Sequence, residues 1–307
     1  MKKRLIVEND LPRLDAFLSK NLTGYSRAFL KDMIKRGMVK VDGAVVDADE
    51  PILEGQIILI ELPETASASS DDFESWVLYE DKRLLVLNKP SGLLMHPLGD
   101  SWLKSPEAAR AGRETNLAAE LQVHRPAILK AGTPRCGIVH RLDRPTSGVL
   151  LVAKDPETYS AITDMFKERY MDKTYRAIVR GVPPPTSRVS APIGREPGQR
   201  QIVVTPLGKP AETSFRVVTK KKLACLVEAK PLTGRTHQIR VHLAHIGHPV
   251  MGDPEFDRKG VPSAPRLMLH AYRIAFEHPF TGRPARFEAQ PPADFQKFWK
   301  SLADARR

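Results

Sequence analysis

The sequence is poor in the features that characterise several classes of protein. Its 307 residues include two cysteines, too few for a disulfide framework or a four-cysteine metal site. No apolar run approaches the roughly 18 residues that a membrane-spanning helix needs. The apolar run near the start, Leu5 to Val7, is also far shorter than the roughly 7–15 residues of a secretory signal. We therefore expect a soluble, cytoplasmic protein that works in a reducing compartment and has no membrane partner.

Negative charge is also in short supply. The chain has 48 Lys and Arg against 36 Asp and Glu, a formal net charge of +12. Hydrophobic residues make up 41% and charged residues 27%, which is typical of a globular protein rather than a disordered one. The excess positive charge favours a polyanionic partner, most simply nucleic acid, and an inert basic surface is the alternative.

The charge is distributed unevenly, and its distribution predicts the domain boundaries. Residues 1–62 carry ten basic and ten acidic side chains, whereas residues 76–307 carry a net charge of +16. Between them, residues 63–75 have four acidic side chains, no basic ones and the Pro/Ala/Ser-rich stretch PETASASS. This composition is typical of a linker. We predict a small domain over 1–62, a linker over 63–75 and a larger domain over 76–307.

The small domain has a helical part followed by short strands. Apolar spacing predicts a helix over 13–18 and a second helix that Ser26 caps and Gly37 ends. Strands are predicted over 39–41, 44–46 and 56–60, with a turn at Asp42-Gly43.

This stretch resembles an S4 domain, a small RNA-binding module, over nearly all of residues 11–62. The order and spacing of these residues carry the resemblance: Arg13-Leu-Asp15, Ser26-Arg27, Ile34, Gly37, Val39, Val41, Asp42-Gly43 and Gly55. It implies that the second helix presents Arg27, Lys31 and Lys35 to RNA. From the residues alone, an ordinary solvated helix face remains the alternative.

The larger domain alternates short β-type runs with helical segments. Strands are predicted at 76–79, 84–87, 148–153, 173–179, 201–204, 211–218 and 225–229, and helices at 116–123, 158–168, 236–244 and 295–303. Many neighbouring strands have short connections, which favours an α+β fold with a mixed, largely antiparallel sheet and flanking helices over a regular βαβ succession.

One polar segment of this domain has the residues of a catalytic loop. Gly137-Ile-Val-His-Arg-Leu-Asp-Arg-Pro-Thr-Ser-Gly148 places Asp143 between two arginines and directly before an apolar strand. A carboxylate in such a loop can act as nucleophile or base, and the arginines would keep it ionised. From the residues alone, a salt-bridged structural loop is the alternative.

Further segments follow in an order that identifies a family. They are Leu87-Asn-Lys-Pro-Ser-Gly-Leu-Leu-Met-His96, Lys173-Thr-Tyr-Arg-Ala177, Gly234-Arg-Thr-His-Gln-Ile-Arg240, Gly252-Asp-Pro254 and Leu267-Met-Leu-His-Ala271. With His140-Arg-Leu-Asp143 and Thr146-Ser-Gly148, they resemble the RluA-type pseudouridine synthases over residues 76 to about 295. Many bacterial members of that family also carry an S4 domain ahead of the catalytic domain.

The resemblance implies roles for individual residues. Asp143 would be the catalytic aspartate, and Arg235 would pair with it and hold it ionised. Arg141 would fill the space that the extruded base leaves, and Tyr175 would stack on that base.

Two further residues are expected to contact the substrate. Leu269, or its neighbour Leu267, would form the apolar wall of the base pocket, and Arg240 would contact RNA.

Converting uridine to pseudouridine breaks the N1–C1′ bond and makes a C5–C1′ bond, so the resemblance implies an isomerase that needs no cofactor. A uracil in folded RNA must be extruded to reach the pocket. Whether the aspartate acts on the sugar or on the uracil ring stays open.

A metal site is not expected. His237, His242, His245 and His248 lack a matching carboxylate or cysteine, and Gly247 and Pro249 interrupt any helix there.

The resemblance favours large-subunit ribosomal RNA as the substrate and a monomeric enzyme. Transfer RNA is the alternative substrate, and a catalytically silent RNA-binding or ribosome-assembly protein is the alternative function.

Overall fold

A computed structural model describes residues 2–22, 27–61, 72–97, 102, 109, 115–257 and 262–304. The chain divides into two compact units, Met1–Glu74 with Leu94–Ile138, and Ser75–Leu93 with Val139–Arg307. Ser26 and residues 62–71, most of the predicted linker, lie outside the described residues. No helix within the described ranges is long and apolar enough to cross a membrane.

The first unit begins with a three-stranded antiparallel sheet and two helices. The strands β1 (Lys2–Ile6), β2 (Val39–Val41) and β3 (Ile57–Glu61) pair in the order β1-β3-β2. Helices α1 (Leu14–Asn21) and α2 (Arg27–Lys35) bury Leu14, Leu18, Leu30, Met33 and Ile34 against this sheet in one apolar core. Both predicted helices are therefore confirmed, as are two of the three predicted strands.

The predicted strand at 44–46 is wrong. Ala44 makes only an isolated bridge to Val41 across the turn at Asp42-Gly43. The chain then turns toward α1, where the carbonyls of Ala48 and Glu50 accept the N–H groups of Asp15 and Leu14 at 2.9 Å. These carbonyls satisfy the first N–H groups of the helix, so the segment caps α1 instead of extending the sheet.

The same unit contains two short helices in its second segment. Helix α3 (Leu117–His124) matches the predicted helix, and Asn116 caps it by accepting the N–H of Ala119 at 3.0 Å. Helix α4 (Pro126–Lys130) follows directly. Both cysteines are buried and outside any disulfide, Cys136 in this unit and Cys225 in the second.

The second unit is built on a nine-stranded sheet. Its order is β4-β5-β6-β13-β7-β12-β11-β8, and β14 pairs with β13. The strands of this sheet are β4 (Val77–Glu80), β5 (Leu84–Lys89), β6 (Ser147–Ala153), β7 (Asp172–Arg180), β8 (Thr186–Ser190), β11 (Glu212–Lys220), β12 (Ala224–Pro231), β13 (Leu269–Glu277) and β14 (Pro284–Glu288). Outside this sheet, β9 (Ile193–Arg195) pairs with β10 (Ile202–Val204) in a separate hairpin. Helices α5 (Pro156–Lys167), α6 (Gln238–His245) and α7 (Ala293–Ser301) flank the sheet.

All strand pairs of the large sheet are antiparallel except one, which confirms the predicted mixed, largely antiparallel α+β fold. The parallel pair joins β6 to β13, with Ser147 opposite His270 and Gly148 opposite Ala271. The two strands approach so closely that a Cβ on Gly148 would lie 2.1 Å from the carbonyl oxygen of Ala271. Because parallel strands begin at the same edge of a sheet, the loop before β6 and the first residue of β13, Leu269, lie together.

Candidate active site

A cavity of about 520 Å³ opens in the second unit beside the start of β6, which is a normal size for a small-ligand site. The loop before β6, strand β7, the first residue of β13, the end of α5 and the turn that leads into α6 all contribute to its lining. Among the residues that line it are Arg141, Asp143, Tyr175, Arg235, Arg240 and Leu269. The structure thus brings every predicted residue of the catalytic domain to one cavity.

Asp143 lies where the polar loop turns into β6. Its carbonyl accepts the N–H of Thr146 at 2.9 Å, and the preceding Leu142 is buried. The Asp143 side chain is 19% exposed. The backbone is therefore held in a turn while the carboxylate stays accessible from the cavity.

A buried lysine, for which no role was predicted, holds the other side of this loop. Lys89 is 1% exposed, and its Nζ donates hydrogen bonds to the carbonyls of Pro90, Leu93 and Arg144 at 2.9, 2.9 and 3.2 Å. Burial lowers the pKa of Lys89 to about 7, although the nearby negative charge of Asp143 opposes that shift. Ser91 adds a hydrogen bond to the carbonyl of Pro145 at 2.8 Å. The Lys-Pro-Ser-Gly segment, which begins at the last residue of β5, therefore fixes the residues that follow Asp143.

His140 fixes the beginning of the same loop. Its Nε2 accepts the backbone N–H of Leu151 at 2.9 Å, and its ring stacks on Phe166 with a centroid distance of 4.6 Å. Burial, together with the smaller effect of the Lys173 charge, lowers the pKa of His140 to about 3. The imidazole is thus neutral at physiological pH and serves as an anchor for the loop.

Two basic side chains from the start of α6 lie within 4.0 Å of the Asp143 carboxylate. Arg240 Nη1 lies 3.7 Å from Asp143 Oδ2, and His237 Nε2 lies 4.0 Å from Oδ1. His237 reaches this position because its backbone is left-handed, with φ 55°, at the residue before the helix. Its Nδ1 lies 3.4 Å from Glu255 Oε1 on the other side of the ring.

Arg240 is buried among carboxylates. Its guanidinium is 3% exposed and donates to both oxygens of Asp253 at 2.7 and 2.8 Å, and to Glu255 Oε1 at 3.0 Å. This fork leaves Nη1 directed toward Asp143. The side chain is enclosed and paired with acidic partners, although it also lines the cavity. Contact between Arg240 and RNA stays a prediction.

The structure does not bring Arg235 into the expected ion pair with Asp143. Arg235 is exposed on the turn before α6, and its Nε donates to the carbonyl of Pro210 at 3.1 Å. The turn leaves Arg235 at the cavity wall, whereas Arg240 lies in the first turn of the helix and faces inward. Both arginines belong to the same short motif, so residue types alone could not distinguish them.

A buried hydrogen-bond network holds that turn in place. Gln238 Oε1 accepts the hydroxyl of Thr233 at 2.7 Å and the N–H of Arg235 at 3.0 Å, while its Nε2 donates to Thr213 Oγ1 at 2.9 Å. His242 continues the network, with Nδ1 2.9 Å from Thr213 Oγ1 and Nε2 3.0 Å from the carbonyl of Ala191. His237, within the Gly234–Arg240 motif, thus lies beside Asp143, whereas His242, two residues after the motif, lies in the core.

Tyr175 and Leu269 supply apolar surface to the cavity. Tyr175 lies on β7, where burial, together with the charge of Asp143, raises the pKa of its phenol above the usual range. Its hydroxyl therefore stays protonated. Leu269 is 4% exposed and begins β13, opposite Ala177. Arg141 is exposed and lines the cavity two residues before Asp143.

The basic residues predicted to face RNA from the first unit lie on α2. Asp15 of α1 is fully buried, and Arg13, Arg27 and Lys31 surround its carboxylate at 3.0, 2.9 and 3.3 Å. Hydrogen bonds from Arg27, and then from Arg13, lower the pKa of Asp15 far below its usual range. The side chains of Arg27 and Lys31 remain about half exposed, and Lys35 is exposed. Their contact with RNA stays a prediction.

Comparison with known proteins places the chain in one family. The family model described as RNA pseudouridylate synthase matches residues 83–245, which include the Asp143 loop, β7 and α6. A large-subunit ribosomal pseudouridine synthase D of Pseudomonas aeruginosa is 36% identical over 92% of this chain and 89% of its own length. An uncharacterized RNA pseudouridine synthase of Chloroflexus aurantiacus is 37% identical over 95% of this chain and 90% of its own length.

Solved structures show the same fold. The human RNA pseudouridylate synthase domain-containing protein 4 matches with a TM-score of 0.56 and 23% identity, over 73% of this chain and 91% of that one. Together, the family model and the relatives show that this chain belongs to the RluA-type family of RNA pseudouridine synthases.

Proposed function

We propose that Asp143 is the catalytic residue of this enzyme and acts on a uridine whose base has been extruded into the cavity. The accessible Asp143 carboxylate, flanked by Arg240 and His237 in that cavity, is the observation that carries this proposal. Burying Arg240 against Asp253 and Glu255 fixes the guanidinium, so Asp143 has a rigid partner of opposite charge. A nearby positive charge favours the ionised carboxylate, which attack on either the sugar or the uracil ring requires.

The other lining residues fit the isomerisation. The N1–C1′ bond breaks, the uracil turns, and C5 bonds to C1′ while C5 loses a proton and N1 gains one. Tyr175 and Leu269 give the detached base an aromatic and an aliphatic surface on which it can turn without leaving. The exposed Arg141 is placed to occupy the gap in the RNA stack, as extrusion of a base requires.

We propose large-subunit ribosomal RNA as the substrate. Relatives from Pseudomonas aeruginosa and Zymomonas mobilis are named large-subunit ribosomal pseudouridine synthase D, and they are 36% and 34% identical over more than nine-tenths of this chain. We further propose that the enzyme acts as a monomer in the cytoplasm, where ribosomal RNA is available.

The test of Asp143 is its replacement by asparagine, which keeps the shape of the side chain and removes the charge. Asp143→Asn should form no detectable pseudouridine in deproteinised ribosomal RNA from a strain that lacks the enzyme, while RNA binding stays within a few-fold of wild type. Asp164→Asn, an exposed carboxylate on α5, is the matched control and should react at the wild-type rate. Product formation by Asp143→Asn would refute the assignment.

The same assay, run with ribosomal and transfer RNA side by side, identifies the substrate. Pseudouridine formed in large-subunit ribosomal RNA but not in transfer RNA supports the proposal. The reverse pattern would refute it and leave the role of Asp143 untouched.

A further inference from the structure

The turn between α5 and β7 forms one side of the cavity and carries cationic side chains that the chemistry described above does not use. Arg169 lies in this turn with a left-handed backbone, φ 67°, and is exposed. Lys173, four residues later on β7, is half-buried, and its Nζ lies 6.0 Å from the centre of the Phe166 ring. Both residues line the cavity.

The charges of these two residues are not balanced by protein carboxylates. The other long cations of β7 have acidic partners: Arg176 lies 3.6 Å from Glu228, and Arg180 lies 2.6 Å from Asp257. Neither Lys173 nor Arg169 has such a partner among the described residues. Of the side chains described along the cavity wall, six are lysine or arginine and Asp143 is the single carboxylate, which already faces Arg240.

This arrangement is unfavourable in the free protein. Burial lowers the pKa of Lys173, and the like charge of Arg169 lowers it further. Two cations at the wall of one half-enclosed cavity repel each other unless an anion lies between or beside them. The folded protein therefore provides a place where an anionic ligand would relieve repulsion as well as make direct contacts.

The position of Lys173 relative to Tyr175 indicates which anionic group would bind there. The two residues are separated by one strand repeat, roughly 6.6 Å, and both side chains line the cavity. That spacing is comparable to the distance between the base of a nucleotide and its own phosphate. A uracil held against Tyr175 would thus bring a phosphodiester of the same nucleotide to Lys173.

We propose that Lys173 and Arg169 form a phosphate subsite that holds a backbone phosphodiester of the target nucleotide. This inference rests on the proposed placement of the uracil against Tyr175. Lys173 would contact the phosphate from the cavity floor, and Arg169 would contact it from the exposed turn. The subsite would hold the sugar in place while the base is detached, because the phosphate remains joined to C1′ through the ribose.

The test measures RNA binding without turnover. In the Asp143→Asn background, affinity for deproteinised ribosomal RNA from a strain lacking the enzyme is determined at several salt concentrations. Lys173→Ala and Arg169→Ala should each weaken binding about tenfold, the lower end of what a charge-assisted hydrogen bond contributes. Each should also reduce the slope of log affinity against log salt by about 0.7–0.9, the value for one lost phosphate contact.

Two matched variants separate this role from a general effect of charge or folding. Lys230→Ala removes a half-exposed lysine that pairs with Asp172 and does not line the cavity, and it should leave the slope unchanged. Lys173→Arg keeps the charge and should restore most of the affinity. Arg169 is exposed, so its variant tests the proposal even if Lys173→Ala fails to fold.

In the active enzyme, Lys173→Ala should raise KM more than it lowers kcat. An unchanged salt slope for Lys173→Ala and Arg169→Ala would overturn the proposed subsite. An equal reduction of the salt slope in Lys230→Ala would also overturn it. Those outcomes do not depend on whether Asp143 is catalytic, since all variants are compared in the same Asp143→Asn background. Residual activity of Asp143→Asn would refute the proposed function and leave the binding comparison valid.

Discussion

Replacing Arg240 by lysine tests the assignment of Arg240, rather than Arg235, as the partner of Asp143. The substitution keeps the positive charge but replaces a planar fork with a single ammonium group. The native guanidinium makes hydrogen bonds of 2.7 and 2.8 Å to Asp253 and 3.0 Å to Glu255 while Nη1 faces Asp143. One lysine cannot make these contacts at the same time.

The expected loss follows from burial. Asp253 is 1% exposed, so its carboxylate would lose hydrogen bonds that water cannot easily replace. Breaking a buried charged pair costs about 3–5 kcal/mol, and we expect Arg240→Lys to lower the free energy of unfolding by about 3 kcal/mol, since part of the charge interaction survives. Arg235→Lys alters an exposed side chain whose described hydrogen bond goes to the carbonyl of Pro210, and it should cost less than about 1 kcal/mol.

The activities should separate in the same way. Single-turnover rates are measured below the unfolding transition of each variant and corrected for the folded fraction found by urea denaturation. Arg240→Lys should slow the chemical step about 100-fold, because misplacing a reacting group by about 1 Å has an effect of that size. Arg235→Lys should change the affinity for RNA more than the rate of the chemical step. A larger loss of stability and chemical rate in Arg235→Lys than in Arg240→Lys would refute the reasoning.

Two more predictions concern the stability of the sheet that carries the site. Gly148→Ala should destabilise the protein by about 3 kcal/mol or more in chemical denaturation, because φ is +117° and the new Cβ would lie 2.1 Å from the carbonyl oxygen of Ala271. Gly198→Ala, with φ +75° and open space around the Cβ, should cost only about 1–2 kcal/mol, and equal losses would contradict the close-approach argument. Burial lowers the pKa of His270 to about 4 from 6.5, so the unfolded chain binds a proton between these values that the folded chain does not. The free energy of unfolding should therefore be at its full value above pH 6.5 and fall by up to about 3 kcal/mol as the pH drops to 4. His270→Gln should reduce the slope of the free energy of unfolding against pH by the equivalent of about one proton. An unchanged slope in this variant would contradict the assignment.

Most elements of the fold could be predicted because their apolar periodicity is local. Helices such as α5 and α7, and strands such as β5 and β6, follow from spacing and composition within a single segment. The mixed, largely antiparallel class followed from the short connections between them. Strand β13 was missed, although it lies in the middle of the sheet, because its LHAYRIAFE sequence mixes basic and apolar residues that give no clear alternation.

The sequence by itself determined the family and the residues that meet at the cavity. His140-Arg-Leu-Asp143, Tyr175 and the Gly234–Arg240 motif have residue types and an order that depend on no three-dimensional information. Tertiary structure alone decided which arginine pairs with Asp143 and which remains at the cavity wall. The reason is that Asp253 and Glu255, which orient Arg240, follow it by 13 and 15 residues and reach it only through the fold. The position of Lys89 also depends on tertiary structure, because its carbonyl partner at Arg144 is 55 residues away. Lys89 lies behind the Asp143 loop because the sheet pairs β5 with β6.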